Sequence, residues 1–223
     1  MQIKKIIFLL CVLVCLGLVT NVVMFFFISN EHSSSILSFK KFDQNENIFF
    51  FSSSTTLLRR EEGNDINNFV NNISKNKLLN NLKEFFIQIM STDNNYFLKV
   101  KFEKFNEKYY ITELLCDTYS LSFDFFCEFD LSRLETLSYD GLPLGDNLAY
   151  FNNCKELKTL CINSHEKIND LVLLNLFKEL CNLKYCEIVI YDLNDDSSTY
   201  IKKMQDKLSI INPNCEIVFL TPY

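Results

Sequence analysis

The chain has 223 residues, 48% of them hydrophobic, so it can form one domain of ordinary size with a small appendage and bury a sizeable core. It carries 22 Lys and Arg against 28 Asp and Glu, which gives a net charge of −6. The apolar content argues against global disorder, and the acidic balance argues against a surface that binds nucleic acid.

The first predicted element is an apolar N-terminal segment. No charged residue occurs between Lys5 and Glu31, and residues 6–28 are mainly Leu, Val, Phe and Ile. About 20 such residues are enough for a helix to cross the hydrocarbon core of a membrane. Lysines before the segment and an acidic residue after it favour a cytoplasmic N-terminus. We therefore expect residues 1–30 to hold an uncleaved signal-anchor, with the C-terminal domain luminal or extracellular in a single-pass protein of the secretory pathway.

A cleaved signal peptide is the alternative for the same segment. Its apolar stretch is usually about 7–15 residues long, and residues 6–19 fit that length. The chain would then be a secreted interaction protein. Because the apolar run resumes at residues 22–28 and no clear small-x-small cleavage site follows, the anchor is the preferred interpretation.

Residues 31–60 are predicted to be a juxtamembrane tether, since they contain several Ser, Thr and Asn clusters of loop composition. Within them, residues 48–51 predict a short strand. Asn72 then begins the triplet Asn72-Ile73-Ser74, the one N-glycosylation sequon of the chain. In a luminal domain it is a glycosylation candidate.

Residues 61–130 are predicted to form an N-terminal cap and degenerate repeats. Ile66, Phe69, Val70 and Ile73 have helical spacing, and residues 78–89 repeat that pattern. Alternating apolar residues predict a strand at 98–102. After a turn at 106–108 we expect a short helical piece at 112–116 and a strand at 121–125. The helices of 66–90 and the strand of 97–105 are expected to cover the N-terminal edge of a sheet.

A repeated pattern begins near residue 131. The spacing L-x-x-L-x-L starts at Leu134, Leu157 and Leu183, and a fourth copy from Asn212 keeps its last two apolar positions. The copies are 23, 26 and 29 residues apart, and apolar residues at helical spacing lie between them. A period of about 20–29 residues with one strand and one helix is typical of leucine-rich repeats.

Residues 131–223 resemble leucine-rich repeats of the cysteine-containing, ribonuclease-inhibitor-like type. The resemblance is carried by three motifs: Leu157-x-x-Leu160-x-Ile162, Ile168-Asn169-Asp170 and Cys181-Asn182-Leu183. It implies an α/β fold in the form of a short solenoid, with a parallel sheet on the concave side and helices outside. Such a solenoid acts as a protein-binding scaffold.

The intervening positions of each strand are predicted to face the concave side, because side chains alternate along a strand. This surface is the candidate site for a protein partner, and tyrosine is a frequent anchor in such sites. The alternative is that it is only the solvated face of a sheet. The candidate residues are Thr136, Ser138, Asp140, Thr159, Cys161, Asn163, Tyr185, Glu187, Val189 and Glu216.

No motif supports catalysis or metal binding. Cys161, His165 and Asp170 have the residue types of a nucleophile, a base and an orienting group, but they fall on repeat positions. The seven cysteines after residue 30 include no Cys-x-x-Cys pair, so we expect buried thiols rather than a zinc site. We expect no cofactor and no small-molecule substrate.

A hypothesis of another class is a type II membrane luminal transferase. It would use the aspartates of residues 192–196, namely Asp192, Asp195 and Asp196. These residues more simply cap a helix and solvate a loop.

Overall fold

The computed structural model describes residues 37–221, except 44–45, 54–57, 78, 92–96, 118–122, 142–145, 165–167 and 192–196. The chain divides into a unit of residues 1–35 and a compact unit of residues 36–223, and the description below concerns the second. The expected membrane segment, residues 6–28, lies outside the described residues. No helix among the described residues is long and apolar enough to cross a membrane.

The described residues form one nine-stranded mixed sheet in which the strands follow one another in chain order. The pairs β1–β2, β3–β4 and β4–β5 are antiparallel, and the other neighbouring pairs are parallel. The strands are β1 (Leu37–Asp43), β2 (Ile48–Ser53), β3 (Glu84–Ser91), β4 (Phe97–Phe105), β5 (Lys108–Asp117), β6 (Thr136–Gly141), β7 (Thr159–Ser164), β8 (Tyr185–Ile190) and β9 (Glu216–Leu220).

The described helices lie side by side in one layer. They are α1 (Arg60–Lys75), α2 (Asp170–Glu179), α3 (Ser197–Ile211) and two 3-10 helices (Phe123–Glu128 and Asp146–Asn153). In α1 the ring of Phe69 lies 5.1 Å from the ring of Phe49 and 5.0 Å from that of Phe51. The Phe151 ring of the second 3-10 helix lies 6.5 Å from that of Tyr139. These contacts identify the face of the sheet that the helices cover.

The core lies between this helix layer and the sheet. One row of side chains crosses the sheet from β2 to β9 on the helix side, and every member of it is buried. Apolar burial of this kind is the main favourable term in folding. The row consists of Phe49, Ile87, Val100, Leu114, Leu137, Leu160, Cys186 and Ile217.

The predicted α/β class is confirmed, but the predicted solenoid is wrong. A leucine-rich-repeat solenoid needs parallel neighbouring strands, whereas β3, β4 and β5 run antiparallel. For β4 and β5 the cause is the two-residue turn between them, where Asn106 has φ 47° and Glu107 has φ 67°. Two successive residues with positive φ are typical of a type I′ hairpin, which reverses the chain. The sheet is therefore mixed.

Several predicted elements in residues 61–130 differ from the structure. The helix predicted within 78–89 is largely β3, where buried Phe85, Ile87 and Ile89 alternate with partly exposed side chains. The predicted helical piece at 112–116 belongs to β5. Residues from Phe123 onward, predicted as the end of a strand, form a 3-10 helix. The helix around Ile66 and the strand at 98–102 are confirmed as α1 and β4.

The strands predicted from the repeated L-x-x-L-x-L spacing are confirmed. They are β6, β7, β8 and β9, which begin two to four residues after the start of each motif. At the entry to each of these strands one residue donates its backbone N–H to a carbonyl of β5 or to the carbonyl of the residue that immediately precedes the neighbouring strand. Its acceptor carbonyl lies 2.8–2.9 Å away in all four cases: Glu135 to Thr112, Lys158 to Glu135, Lys184 to Lys158, and Glu216 to Lys184.

Candidate functional site

The sheet face opposite the helices is here called the open face. The candidate site is the part of the open face within β6–β9. No described element packs against it. The parallel register brings all ten predicted surface residues together in three rows, which Val218 and Leu220 extend on β9. The rows are Thr136, Thr159, Tyr185 and Glu216; Ser138, Cys161, Glu187 and Val218; and Asp140, Asn163, Val189 and Leu220.

Two neighbouring side chains of β8 are joined on this face. The Tyr185 hydroxyl donates a hydrogen bond of 2.7 Å to Oε2 of Glu187. This hydrogen bond, together with desolvation and the Glu187 charge, raises the pKa of Tyr185 to about 12. The phenol is therefore neutral at physiological pH and holds the Glu187 carboxylate in one position.

A second carboxylate is oriented across two strands. Asn163 of β7 donates from Nδ2 to Oδ2 of Asp140 on β6 at 3.2 Å. The two residues are direct cross-strand neighbours in the register. The carboxylates of Asp140 and Glu187 are thus both oriented by hydrogen bonds from neighbouring side chains on the same face.

The charge on the open face of β6–β9 has one sign. Its twelve positions include the carboxylates Asp140, Glu187 and Glu216, and none is Lys or Arg. Lys158, which precedes β7, belongs to the opposite alternation and pairs with Glu135 at 2.7 Å. The face therefore presents a negative potential.

An apolar corner lies where β8 and β9 end. Val189 is paired with Leu220 in the register, and Leu220 is 45% exposed. Tyr191 follows β8 in the same alternation and is 40% exposed. Leu220 and Tyr191 were missed by the sequence prediction because they lie beyond the six-residue motif. Extending the alternation by one further pair of residues would have included both.

The other end of the open face carries a charge cluster that is internally balanced. The Lys101 ammonium contacts Glu84, Glu103 and Glu113 at 3.2, 2.9 and 3.1 Å. Burial lowers the pKa of Lys101, but hydrogen bonds to the three carboxylates more than offset that effect and raise the pKa overall. Sequence reasoning missed this cluster because its members come from three different strands.

Among the described residues, the surroundings of the considered nucleophile, Cys161, do not activate it. Burial, followed by the charge of Glu187, raises the pKa of the Cys161 thiol, which disfavours the reactive thiolate. Asp170 begins α2, and its carboxylate lies 3.8 Å from Nζ of Lys207. His165 lies outside the described residues, as do Asp192, Asp195 and Asp196.

The other thiols follow the predicted pattern only in part. Cys116, Cys154, Cys186 and Cys215 are buried, whereas Cys127 and Cys181 are exposed. Among the described residues no group of three His, Cys, Asp or Glu side chains could hold a metal ion.

The candidate glycosylation residue, Asn72, lies in the last turns of α1 and is half-buried. Its backbone carbonyl accepts the N–H of Asn76 at 3.1 Å. Its modification stays a prediction.

No protein family, curated protein or solved structure matches the chain.

Proposed function

We propose that the chain is a membrane-tethered protein-binding module without catalytic activity, and that it binds its partner on the open face of β6–β9. One observation carries the proposal. Parallel sheets in proteins are almost always covered on both faces, yet here helices cover only one face of the parallel strands among the described residues. A partner protein would supply the second cover.

The side chains of the open face support the same function. All of its positions except Val189 keep part of their surface exposed. Tyr185 begins β8, Glu187 lies near the middle of that strand, and the two side chains are joined by a hydrogen bond. A preoriented aromatic residue loses little side-chain entropy on binding, which favours its use as an anchor. The resemblance of residues 131–223 to leucine-rich repeats points to the same use of the sheet.

Site-specific photo-cross-linking tests the proposal. A photoreactive residue at position 159, the first residue of β7 on the open face, should cross-link a discrete partner in cells that express the full chain. The same residue at position 178, an exposed site on α2, should not. The double variant Tyr185→Ala, Glu187→Arg should reduce the cross-link at position 159 about tenfold, equivalent to about 1.4 kcal/mol of binding free energy.

Two results would contradict the proposal. One is equal cross-linking from positions 159 and 178, which would mean that the open face has no preference over the helix layer. The other is a cross-link from position 159 that the double variant leaves unchanged, since both altered side chains belong to the proposed surface.

The proposed tether is the apolar segment of residues 6–28, with the folded domain luminal or extracellular. The full chain should then stay in the membrane pellet after alkaline carbonate extraction and should retain its first residues. A mature N-terminus near residues 20–30, found by N-terminal sequencing, would instead establish the secreted alternative.

A further inference from the structure

The charge of the open face limits the chemistry of the partner that the proposed function requires. The carboxylates of Asp140, Glu187 and Glu216 come from three different strands. Neighbouring strands are about 4.8 Å apart, so the strands of Asp140 and Glu187 are separated by about 10 Å. The negative charge is therefore distributed across the face, and one bound ion would not contact all three groups.

The hydrogen-bond donors to the carboxylates differ between the two ends of the open face. In β3–β5 the three glutamates surround Lys101, which supplies an internal counter-charge. In β6–β9 the Glu187 carboxylate accepts its hydrogen bond from the neutral Tyr185 hydroxyl, and none of the twelve positions is basic. The Glu187 carboxylate is thus oriented by a neutral donor and not by a cation, which is the arrangement that favours an incoming cation.

The apolar corner adds a second requirement. Leu220 and Tyr191 expose 45% and 40% of their surface beside Val189. Burial of a large apolar side chain of a partner against this corner would remove apolar surface from water, which is favourable. A partner with one large apolar residue next to basic residues would use both the corner and the carboxylates. An anionic lipid surface would be repelled by the same carboxylates.

We propose that the partner presents a basic segment, in which Lys or Arg residues contact Asp140, Glu187 and Glu216 while one large apolar residue occupies the corner formed by Val189, Tyr191 and Leu220. This inference rests on the proposed function and specifies the chemistry of the partner. Electrostatic complementarity of this kind sets the specificity and the association rate of a complex.

Peptide binding to the full chain in detergent micelles tests the inference. The probes are three fluorescent eight-residue peptides with blocked ends, in which Leu alternates with Lys, Ser or Glu. Fluorescence anisotropy should give a dissociation constant for the Lys peptide at least about tenfold lower than for the other two peptides. Raising the salt concentration should weaken the binding of the Lys peptide most, because salt screens exposed charges.

Variants locate the binding surface. The triple variant Asp140→Asn, Glu187→Gln, Glu216→Gln should lose most of the preference for the Lys peptide, and Leu220→Ser should weaken binding with the preference retained. A matched triple variant, Glu61→Gln, Glu156→Gln, Asp206→Asn, makes the same change in net charge at exposed sites elsewhere. It should bind as the unaltered chain does.

Equal affinity for the three peptides would overturn the inference. An equal loss of the preference for the Lys peptide in both triple variants would overturn it too. A partner that cross-links from position 159 but binds through an acidic or uncharged segment would overturn it as well, and would leave the proposed function standing. Absence of any cross-link from position 159 would count against the proposed function itself.

Discussion

Replacing Gly63 with alanine is expected to lower the free energy of unfolding by about 1–2 kcal/mol, the opposite of its usual effect within a helix. An alanine Cβ at this position of α1 would lie 2.7 Å from the backbone oxygen of Phe125. It would also lie 3.4 Å from the rings of Phe125 and Phe129. Overpacking against a backbone that cannot move aside typically costs about 1–3 kcal/mol, and this exceeds the gain of about 1 kcal/mol in helix propensity.

The close approach at Gly63 is held by polar contacts on the same helix. Arg60 forms an ion pair with Glu128, and Asn67 donates to the Glu128 backbone oxygen at 3.1 Å. Moving α1 away to admit a methyl group would strain these contacts too. The cost therefore falls on the whole junction between α1 and the first 3-10 helix.

Denaturant unfolding of the full chain, followed by circular dichroism, would measure this effect. Asn64→Ala is the matched control, since Asn64 is the next residue of α1 and is exposed. That change should be neutral or should stabilise the chain by about 0.5 kcal/mol through helix propensity. If Gly63→Ala were as stable as the control, the close packing of α1 on the 3-10 helix would be refuted.

The C-terminal half of the fold could be predicted because its sequence repeats one local pattern. In Leu157, Leu160 and Ile162 the apolar spacing matches a strand entered by a tight turn, and the copies at Leu134 and Leu183 follow the same spacing. Since neighbouring copies pair in parallel and in register, a correct strand prediction also brought the predicted surface rows together. The alternation of exposed and buried side chains then followed from strand geometry.

The N-terminal half was mispredicted because its apolar residues fit two periods. Leu82, Phe85, Phe86 and Ile89 have helical spacing, yet Phe85, Ile87 and Ile89 also alternate as in a strand. Pairing of β3 with β2 and β4 selected the strand, and single-sequence spacing contains no information about such pairing. The residues of the hairpin turn, Asn106 and Glu107, lack the glycine that usually marks a type I′ turn.

The polar contacts of the open face also differ in how far the sequence could predict them. The hydrogen bond from Tyr185 to Glu187 joins residues two apart on one strand, so strand alternation alone places them together. The Lys101 cluster joins three strands, and only the antiparallel register of β3, β4 and β5 brings Glu84, Glu103 and Glu113 to one ammonium group. That register depends on the hairpin, which sequence spacing did not predict.

Replacing Lys101 with methionine is expected to lower the free energy of unfolding by about 1–2 kcal/mol at pH 7. The change keeps much of the side-chain volume but leaves Glu84, Glu103 and Glu113 facing one another without their shared cation. Removal of one partner from a fully buried ion pair costs about 3–5 kcal/mol. The cost here is smaller because the three carboxylate side chains are 53%, 32% and 37% exposed, so solvent screens their repulsion.

The pH dependence of the Lys101→Met deficit has a definite sign. The raised pKa of Lys101 means that its stabilising charge is fully present below its ordinary pKa of 10.5, and is lost only as the pH rises through the folded-state value. The unaltered chain therefore keeps the ammonium charge at pH 7 and at pH 9. The deficit should be the same at these two pH values, and added salt should reduce it by screening the repulsion among the three carboxylates of the variant.

Urea unfolding of both proteins at pH 7 and pH 9, with and without added salt, would measure the deficit. Lys99→Met is the matched control, because Lys99 lies on the same strand and face with its Nζ 4.5 Å from the centre of the Phe86 ring rather than among the three carboxylates. Loss of that cation–π contact should cost about 0.5–1 kcal/mol, with little change between the two pH values. A Lys101→Met deficit that added salt left unchanged would show that lost packing, and not uncompensated carboxylate charge, is its cause.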